Sequence, residues 1–558
     1  MLMVLFSWII ICGAALLFGK AITDSVYKDR RETMGCPDIY IMTGIIFLNV
    51  YAQLFSLFYK VAGIACTILG TMGIVLFCVW AYRQVRRGKA YGIFPGCTWE
   101  KPDYRRVAAL LFCFVLTLVW TTRSPGQYDT GLYHAQAIRW VEEYGVVPGL
   151  GNLHMRLAYN SAFMSLQALF SLEWLLGQSL HTLNGFFCLA ALFYVFSTVR
   201  LWGEKSRRTS DFLKCVAVFY VVQKCHDIAS SGTDIEAMLL MIYIFIKWSE
   251  YMEREEKDGV LYGYLCLVSV YAATVKLSAA STALLALYPL YLFMREKNGK
   301  AILSHVAAGV GILLPFLIRN VVISGYLVYP YAGLDLFHPD WKMDEAVLLS
   351  DSLDIKMFAR GLRSAAEYDD SLIGWIPKWF VNQNAGNRVL IVVGAVCVPV
   401  ILYLFGKNLK ERNYVRAAFF GTGVVNLFFW FFTAPHMRYG EPYIYVLVAM
   451  ALGAAAGVEK KKAAGAIGAV ATLAVAVFLV QYGAGLSKLS ELETKHWIRQ
   501  PDYLAWPAER YQIQNVEIWA PEEGDLIGYF VFPATSQKKQ LKTLELRGES
   551  FREGFRHE

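Results

Sequence analysis

Apolar positions in this chain gather into long unbroken runs, and each run ends in a short stretch of charge, glycine or proline. The runs cover approximately residues 3–19, 38–58, 61–82, 106–122, 158–177, 181–199, 212–229, 235–250, 259–275, 277–293, 301–318, 389–405, 415–433, 441–457 and 463–483. Lengths of about 16 to 21 residues are what a hydrocarbon core roughly 30 Å thick demands of a helix whose backbone must satisfy its own hydrogen bonds. The pattern predicts an all-α polytopic transmembrane helix bundle of about 13–14 crossings.

Composition agrees. Of 558 residues, 56% are hydrophobic and only 18% charged, too little charge to cover the surface of a soluble chain this long. A cytosolic enzyme, a disordered chain and an outer-membrane barrel are thereby excluded. The net charge of +8 points to no nucleic-acid partner, because the basic residues sit in short loops between apolar runs, where they set topology.

No basic residue precedes the first run, while Lys20, Lys28, Arg30 and Arg31 follow it, so the N-terminus is expected outside the cytoplasmic membrane and no cleaved signal peptide is expected. The loop from Arg83 to Arg106 is then cytoplasmic. If both the 158–177 and 181–199 runs crossed, the basic stretch Arg200 to Arg208 would fall outside. The first of them carries Asn160, Ser161, Ser165 and Gln167 and ends at Glu173 and Gly177, so it is read as a juxtamembrane or re-entrant helix. Every later basic loop then falls inside.

Three organisational units follow. Residues 1–105 form a three-helix membrane segment with a basic loop, residues 106–483 the main transmembrane domain, and residues 484–558 a C-terminal tail expected outside. Polar segments 123–157 and 319–388 are expected on the outer face too. The tail alternates around Val516 to Trp519 and Ile527 to Phe532, which predicts a small strand-containing module packed on the membrane face. The eleven cysteines lie in membrane runs or cytoplasmic loops and indicate neither a disulfide framework nor a CxxC metal site.

Polar residues at a membrane face, beside apolar helices, are costly unless they bind something or one another. The stretch Ser124-Pro-Gly-Gln-Tyr-Asp-Thr-Gly-Leu-Tyr-His-Ala-Gln-Ala-Ile-Arg-Trp140 places Asp129, His134 and Arg139 on a turn followed by a helix. Asp129 reads as a general base, as a ligand for a divalent cation, or as a cap for the helix that follows. His134 is within reach of it along the helix, or is a structural histidine. Glu142 and Glu143 read as a solvated face, and Arg156 closes the same loop.

Asp234, in Ser230-Ser-Gly-Thr-Asp234, reads as a helix cap or as a second carboxylate. Lys276 separates two apolar runs with no polar loop around it, and Arg319-Asn320 and Pro435-His436-Met437-Arg438-Tyr439 end crossings on the same predicted side. Lys276, Arg319 and Arg438 are either ordinary interfacial anchors or cations converging on an anionic phosphate. Trp341, Tyr368, Trp375, Trp379 and Phe380 in the second outer segment suit headgroup anchoring or stacking on sugars.

The pattern resembles the GT-C superfamily of integral membrane glycosyltransferases. Three features carry the resemblance: Asp129 in the first outer loop after a crossing, the juxtamembrane helix after that loop, and Leu-Ile-Arg319-Asn320-Val-Val-Ile-Ser-Gly325-Tyr-Leu-Val-Tyr-Pro330 leading into a second large outer loop. It covers roughly residues 106–480, and more narrowly the chain is similar to bacterial multi-pass proteins with a Tyr-Asp-Thr-Gly-Leu-Tyr-His stretch. The resemblance implies transfer of a sugar from a polyprenyl-phosphate donor to a glycan, lipid or protein acceptor, with Asp129 as catalytic base or metal ligand. His134, Arg139, Arg156, Asp234, Lys276, Arg319, Asn320, His436 and Arg438 would bind substrate, and Asp129 with Asp234 would hold any divalent cation. Many members carry two acidic residues adjacent or one apart, whereas Tyr128 and Thr130 flank Asp129. A transporter, flippase or polymerase for lipid-linked polysaccharide is the competing expectation.

Overall fold

The computed structural model describes residues 1–87, 94–96, 104–198, 208–362, 367–369, 371–456 and 492–557. The chain is mostly helical. Its longer helices are α1 (Leu2–Val26), α2 (Pro37–Ser56), α3 (Gly63–Arg87), α4 (Tyr104–Thr121), α5 (Ala135–Glu143), α6 (Ala162–Phe170), α7 (Leu183–Thr198), α8 (Thr209–Gln223), α9 (Asp234–Glu253), α10 (Gly259–Val275), α11 (Leu287–Arg295), α12 (Gly299–Ser324), α13 (Glu345–Arg360), α14 (Leu372–Val381), α15 (Ala385–Lys410), α16 (Tyr414–Thr433) and α17 (Met437–Ala456). The expected run 463–483 lies outside the described residues.

Among the described residues, 7 segments are long and apolar enough to cross a membrane: α1, α2, Gly63–Arg83, Leu277–Arg295, α12, α15 and α16. Five further apolar helices are shorter, 10–17 residues long: Arg106–Thr121, Ala162–Leu176, Leu183–Thr198, Gly259–Val275 and Leu372–Val381. In α3, α12 and α15 only 11%, 17% and 11% of the most apolar window is buried, so these helices turn their apolar surface outward. By contrast α9 is buried along nearly its whole length and carries Asp234, Glu236, Lys247 and Glu250. Two of its charges are paired inside the bundle, Glu250 with Lys214 at 2.8 Å and Lys247 with Asp38 at 2.9 Å, while Glu236 accepts from the Tyr271 hydroxyl at 2.6 Å. An interior helix shielded by neighbours need not be apolar all round.

The stretch 158–177 is broken into α6, nine residues long, and a single turn at Glu173–Leu176. At 1.5 Å per residue, α6 rises about 14 Å, half of what a hydrocarbon core requires. Leu172 and Gly177, both in the left-handed region, bracket that last turn.

Helices α1 and α2 meet backbone to backbone. A Cβ on Gly19 would lie 1.7 Å from the Tyr40 carbonyl oxygen, and one on Gly44 would lie 1.9 Å from that of Ala15. Small residues permit this close crossing where lipid supplies no hydrophobic drive.

The C-terminal module holds two antiparallel pairs, β1 (Ala508–Ile513) with β2 (Val516–Pro521), and β3 (Leu544–Leu546) with β4 (Phe555–His557). Ile527 to Phe532, expected as strand, instead forms turns laid against α5. Gln136 donates to the carbonyls of Gly528 and Val531, at 2.8 and 2.7 Å, and Ile527 N–H donates to Gly131 O. Trp140, fully buried, packs on Phe532, Phe551 and Phe555. The tail therefore clamps the first polar loop from outside while the bundle supports it from within.

Candidate functional site

The polar loops meet over one cavity of about 750 Å³. Its walls are amphipathic. Apolar surface comes from the end of α10, from α12 (Phe316, Ile323), α13 (Ile355, Phe358) and α16 (Trp430), and polar groups come from the 128–160 loop, Asp234, Lys276, Arg438 and the tail's Asp525.

A charge cluster forms its polar floor. Asp129 sits where the chain enters a single π turn, Thr130–His134, ahead of α5, and its carboxylate makes no capping bond. Instead Arg438 Nη2 donates to Asp129 Oδ2 at 2.5 Å. The Arg438 Nε stands 3.2 Å from Asp234 Oδ2, an ion pair too poorly aligned for a hydrogen bond. Lys276, where α10 ends, donates to Asp234 Oδ1, and its ammonium lies 4.2 Å from the Tyr439 ring centre. Asp234 makes no cap either, because cations have taken its oxygens. The capping readings of both carboxylates are thus replaced by ion pairing across the chain.

One oxygen remains unspent. Asp129 Oδ1 accepts no hydrogen bond from a described residue, and Asp129 lines the cavity. Beside it, burial lowers the His134 imidazole to about 4, against the pull of Asp129 and Asp234, so the ring is neutral near neutral pH. Its Nδ1 is buried without a partner.

A divalent cation does not fit between Asp129 and Asp234. Three of their four oxygens already face Arg438 or Lys276, and among the described residues no three His, Cys, Asp or Glu side chains gather as ligands.

Arg319 lines the same cavity but is committed elsewhere. It donates to Asn160 Oδ1 at 3.0 Å and to the Ser56 hydroxyl, and has no carboxylate partner among the described residues. Asn320 is structural, accepting from Asn160 at 2.8 Å and donating to Leu327 O at 2.8 Å, and does not reach the cavity. His436 stacks on Phe358 and accepts from the Arg438 N–H, which fixes the turn before α17, and burial lowers its imidazole to about 4.

Arg139 also stands away from the cavity. Its guanidinium donates to the carbonyls of Tyr529 and Phe530 at 2.8 and 2.9 Å and lies over Phe532. Glu142, read as solvated, is only 5% exposed because the tail covers it. Tyr529 and Ser179 hydroxyls donate to its two oxygens, at 2.6 and 2.8 Å, yet burial still pushes its carboxyl up to about 7.

Several cavity residues have no strong sequence signal. Tyr133, Tyr159, Tyr329 and Asp351 form a hydroxyl-rich wall, with Tyr159 and Tyr329 each donating to Asp351 at 3.0 Å. Burial raises the Asp351 carboxyl against those donors. Tyr439 adjoins a residue already singled out. Trp375 and Trp379 are buried against Phe431, and Trp341 lies under Arg547, so these rings serve packing.

A family model described as "Domain of unknown function (DUF8201)" matches residues 1–445. The chain belongs to that family. The matched region holds Asp129, Asp234, Lys276 and Arg438, while Asp525 and the rest of the tail lie beyond it. No curated protein and no solved structure matches the chain.

Proposed function

We propose that the chain is a membrane glycosyltransferase that moves a sugar from a polyprenyl-phosphate carrier to a glycan, lipid or protein acceptor at the outer face of the cytoplasmic membrane. A GT-C-like architecture is part of the same proposal. One observation carries the reading: a carboxylate with an unspent oxygen, Asp129 Oδ1, lines an amphipathic cavity where the loops meet the apolar bundle. A lipid-linked sugar needs such a place, apolar for the chain and polar for the reacting groups.

In the reaction, the bond from the sugar C1 to the carrier phosphate oxygen breaks and a bond from C1 to the acceptor oxygen forms. Asp129 Oδ1 receives the acceptor hydroxyl proton, and the phosphate departs as an anion. Arg438 holds Asp129 in position through Oδ2 and leaves the other oxygen to act. Lys276 and the unspent Arg438 Nη1 face the negative charge that develops on the leaving group.

A second reading, a flippase for lipid-linked glycan, draws support from the buried ion pairs Lys214–Glu250, Lys247–Asp38 and Lys224–Glu441 within the bundle. Those groups are already paired and do not line the large cavity, so transfer is favoured. The test is purified full-length protein given polyprenyl-phosphate sugars. Asp129→Asn is expected to lose at least about a hundredfold in transfer rate, and full activity in this variant removes Asp129 from the reaction.

A further inference from the structure

The cations at the cavity floor are balanced. Arg438 and Lys276 face Asp129 and Asp234, two positive groups against two negative ones in direct contact. The Arg156 guanidinium differs. It lines the cavity, half-buried, and among the described residues it makes no side-chain hydrogen bond and has no carboxylate within ion-pair distance. Its backbone N–H is held by His154 Nδ1 at 3.2 Å, and that ring's Nε2 is held by Ser536 of the tail at 2.9 Å, so the loop that presents the side chain is fixed from both sides.

Tyr133 stands beside it with the same property. Its ring packs on Tyr159 and His134, the residue lines the cavity, and its hydroxyl makes no hydrogen bond with a described residue. Tyr159 is different, since its hydroxyl is spent on Asp351. A guanidinium with all five N–H groups unspent and one free hydroxyl donor thus share a half-buried wall. These donors are open to the cavity and available to a ligand, and a planar fork of N–H groups matches an oxyanion with two coplanar or tetrahedral oxygens.

The geometry points to Arg156 and Tyr133 as an oxyanion receptor of the cavity, separate from the Lys276–Arg438 cluster, that seats a phosphate or carboxylate carried by the ligand. The inference shares with the transfer reading only the premise that the cavity takes a ligand.

The test is equilibrium binding to the purified full chain in nanodiscs with three probes: farnesyl phosphate, farnesol and glucose 1-phosphate. Wild type is expected to bind at least one of the two phosphates, and Arg156→Gln to lose about tenfold or more for it while farnesol binding is unchanged. Loss confined to farnesyl phosphate assigns the receptor to the lipid headgroup, and loss confined to glucose 1-phosphate assigns it to an anionic group on the sugar. Arg156→Lys is expected to restore part of the affinity, since it keeps charge and loses the fork. Tyr133→Phe, which removes one oxygen atom, is expected to weaken the same probe by a few-fold and serves if Arg156→Gln does not fold. Equal phosphate affinity in wild type and both removal variants, or no preference of wild type for either phosphate, overturns the receptor. Phosphate binding by wild type without any sugar transfer overturns the transfer reading alone.

Discussion

Arg438 donates to Asp129 at 2.5 Å while its Nε stands 3.2 Å from Asp234, so one guanidinium holds together two carboxylates from different parts of the chain. Remove it and two negative groups face each other, with Lys276 still paired to Asp234 but Asp129 left without its ion-pair partner among the described residues. Arg438→Gln is expected to destabilise the protein by about 2 to 3 kcal/mol, the lower end for a broken buried pair because the side chain is a quarter exposed. Adding Asp129→Asn should return part of that loss. The check is the apparent unfolding temperature in nanodiscs, and an unchanged value for Arg438→Gln would contradict the pairing.

Glu142 makes the tail's attachment pH-dependent. Burial raises its carboxyl from 4.5 to about 7. An acid whose folded value is raised is protonated more readily in the folded state, so its contribution is present below the unfolded value and is lost as pH rises from about 4.5 to about 7. A shift of that size corresponds to about 3 kcal/mol at most. The buried His134 and His436 imidazoles, lowered to about 4, act in the opposite direction over the same window in both proteins, so the check is the difference between them. Glu142→Gln is expected to gain unfolding temperature relative to wild type as pH rises from about 4.5 to about 7, and a difference that does not change with pH would contradict the assignment.

Arg139 anchors the tail through two main-chain carbonyls. Arg139→Ala should loosen the segment around Tyr529 by about 2 kcal/mol and speed its cleavage in limited proteolysis. The charge cluster on the cavity floor does not include this residue, so unchanged cleavage would point to the aromatic contacts of Trp140 as sufficient for docking.

The crossing of α1 and α2 leaves no room for a Cβ at Gly19 or Gly44, whereas Gly13 on the same α1 has nothing within 4 Å of that position. Gly19→Ala is expected to cost about 1 to 3 kcal/mol through forced displacement. Gly13→Ala should be neutral or slightly stabilising in a helix. Comparing the two unfolding temperatures separates packing from helix propensity.

How much of this was legible in the sequence differs from element to element. Helix α10 spans Gly259–Val275, the residues the apolar run predicts, because Asp258 caps its start and Lys276 ends the apolar stretch. The 158–177 run has apolar composition, yet Leu172 and Gly177 take left-handed geometry that breaks it, and the polar residues within it were the signal. For Asp129 and Asp234, a turn followed by a helix fits a cap as well as chemistry. Only the arrival of Arg438 and Lys276 from elsewhere decides what the carboxylates do. Arg139 and Glu142 were misplaced for a related reason: helical spacing shows which face they share, while the tail that covers the face arrives from almost four hundred residues away. Tyr133 and Tyr159 could not be told from interfacial aromatics without the cavity.

The central claim is sugar transfer with Asp129 as the proton acceptor. The most direct test is mass spectrometry of lipid-linked and cell-envelope glycans from cells lacking this chain, complemented with wild type or Asp129→Asn. Loss of one sugar from the envelope, restored by wild type and not by the variant, is the predicted result. Restoration by both, or glycans that are the same in every strain, would contradict it.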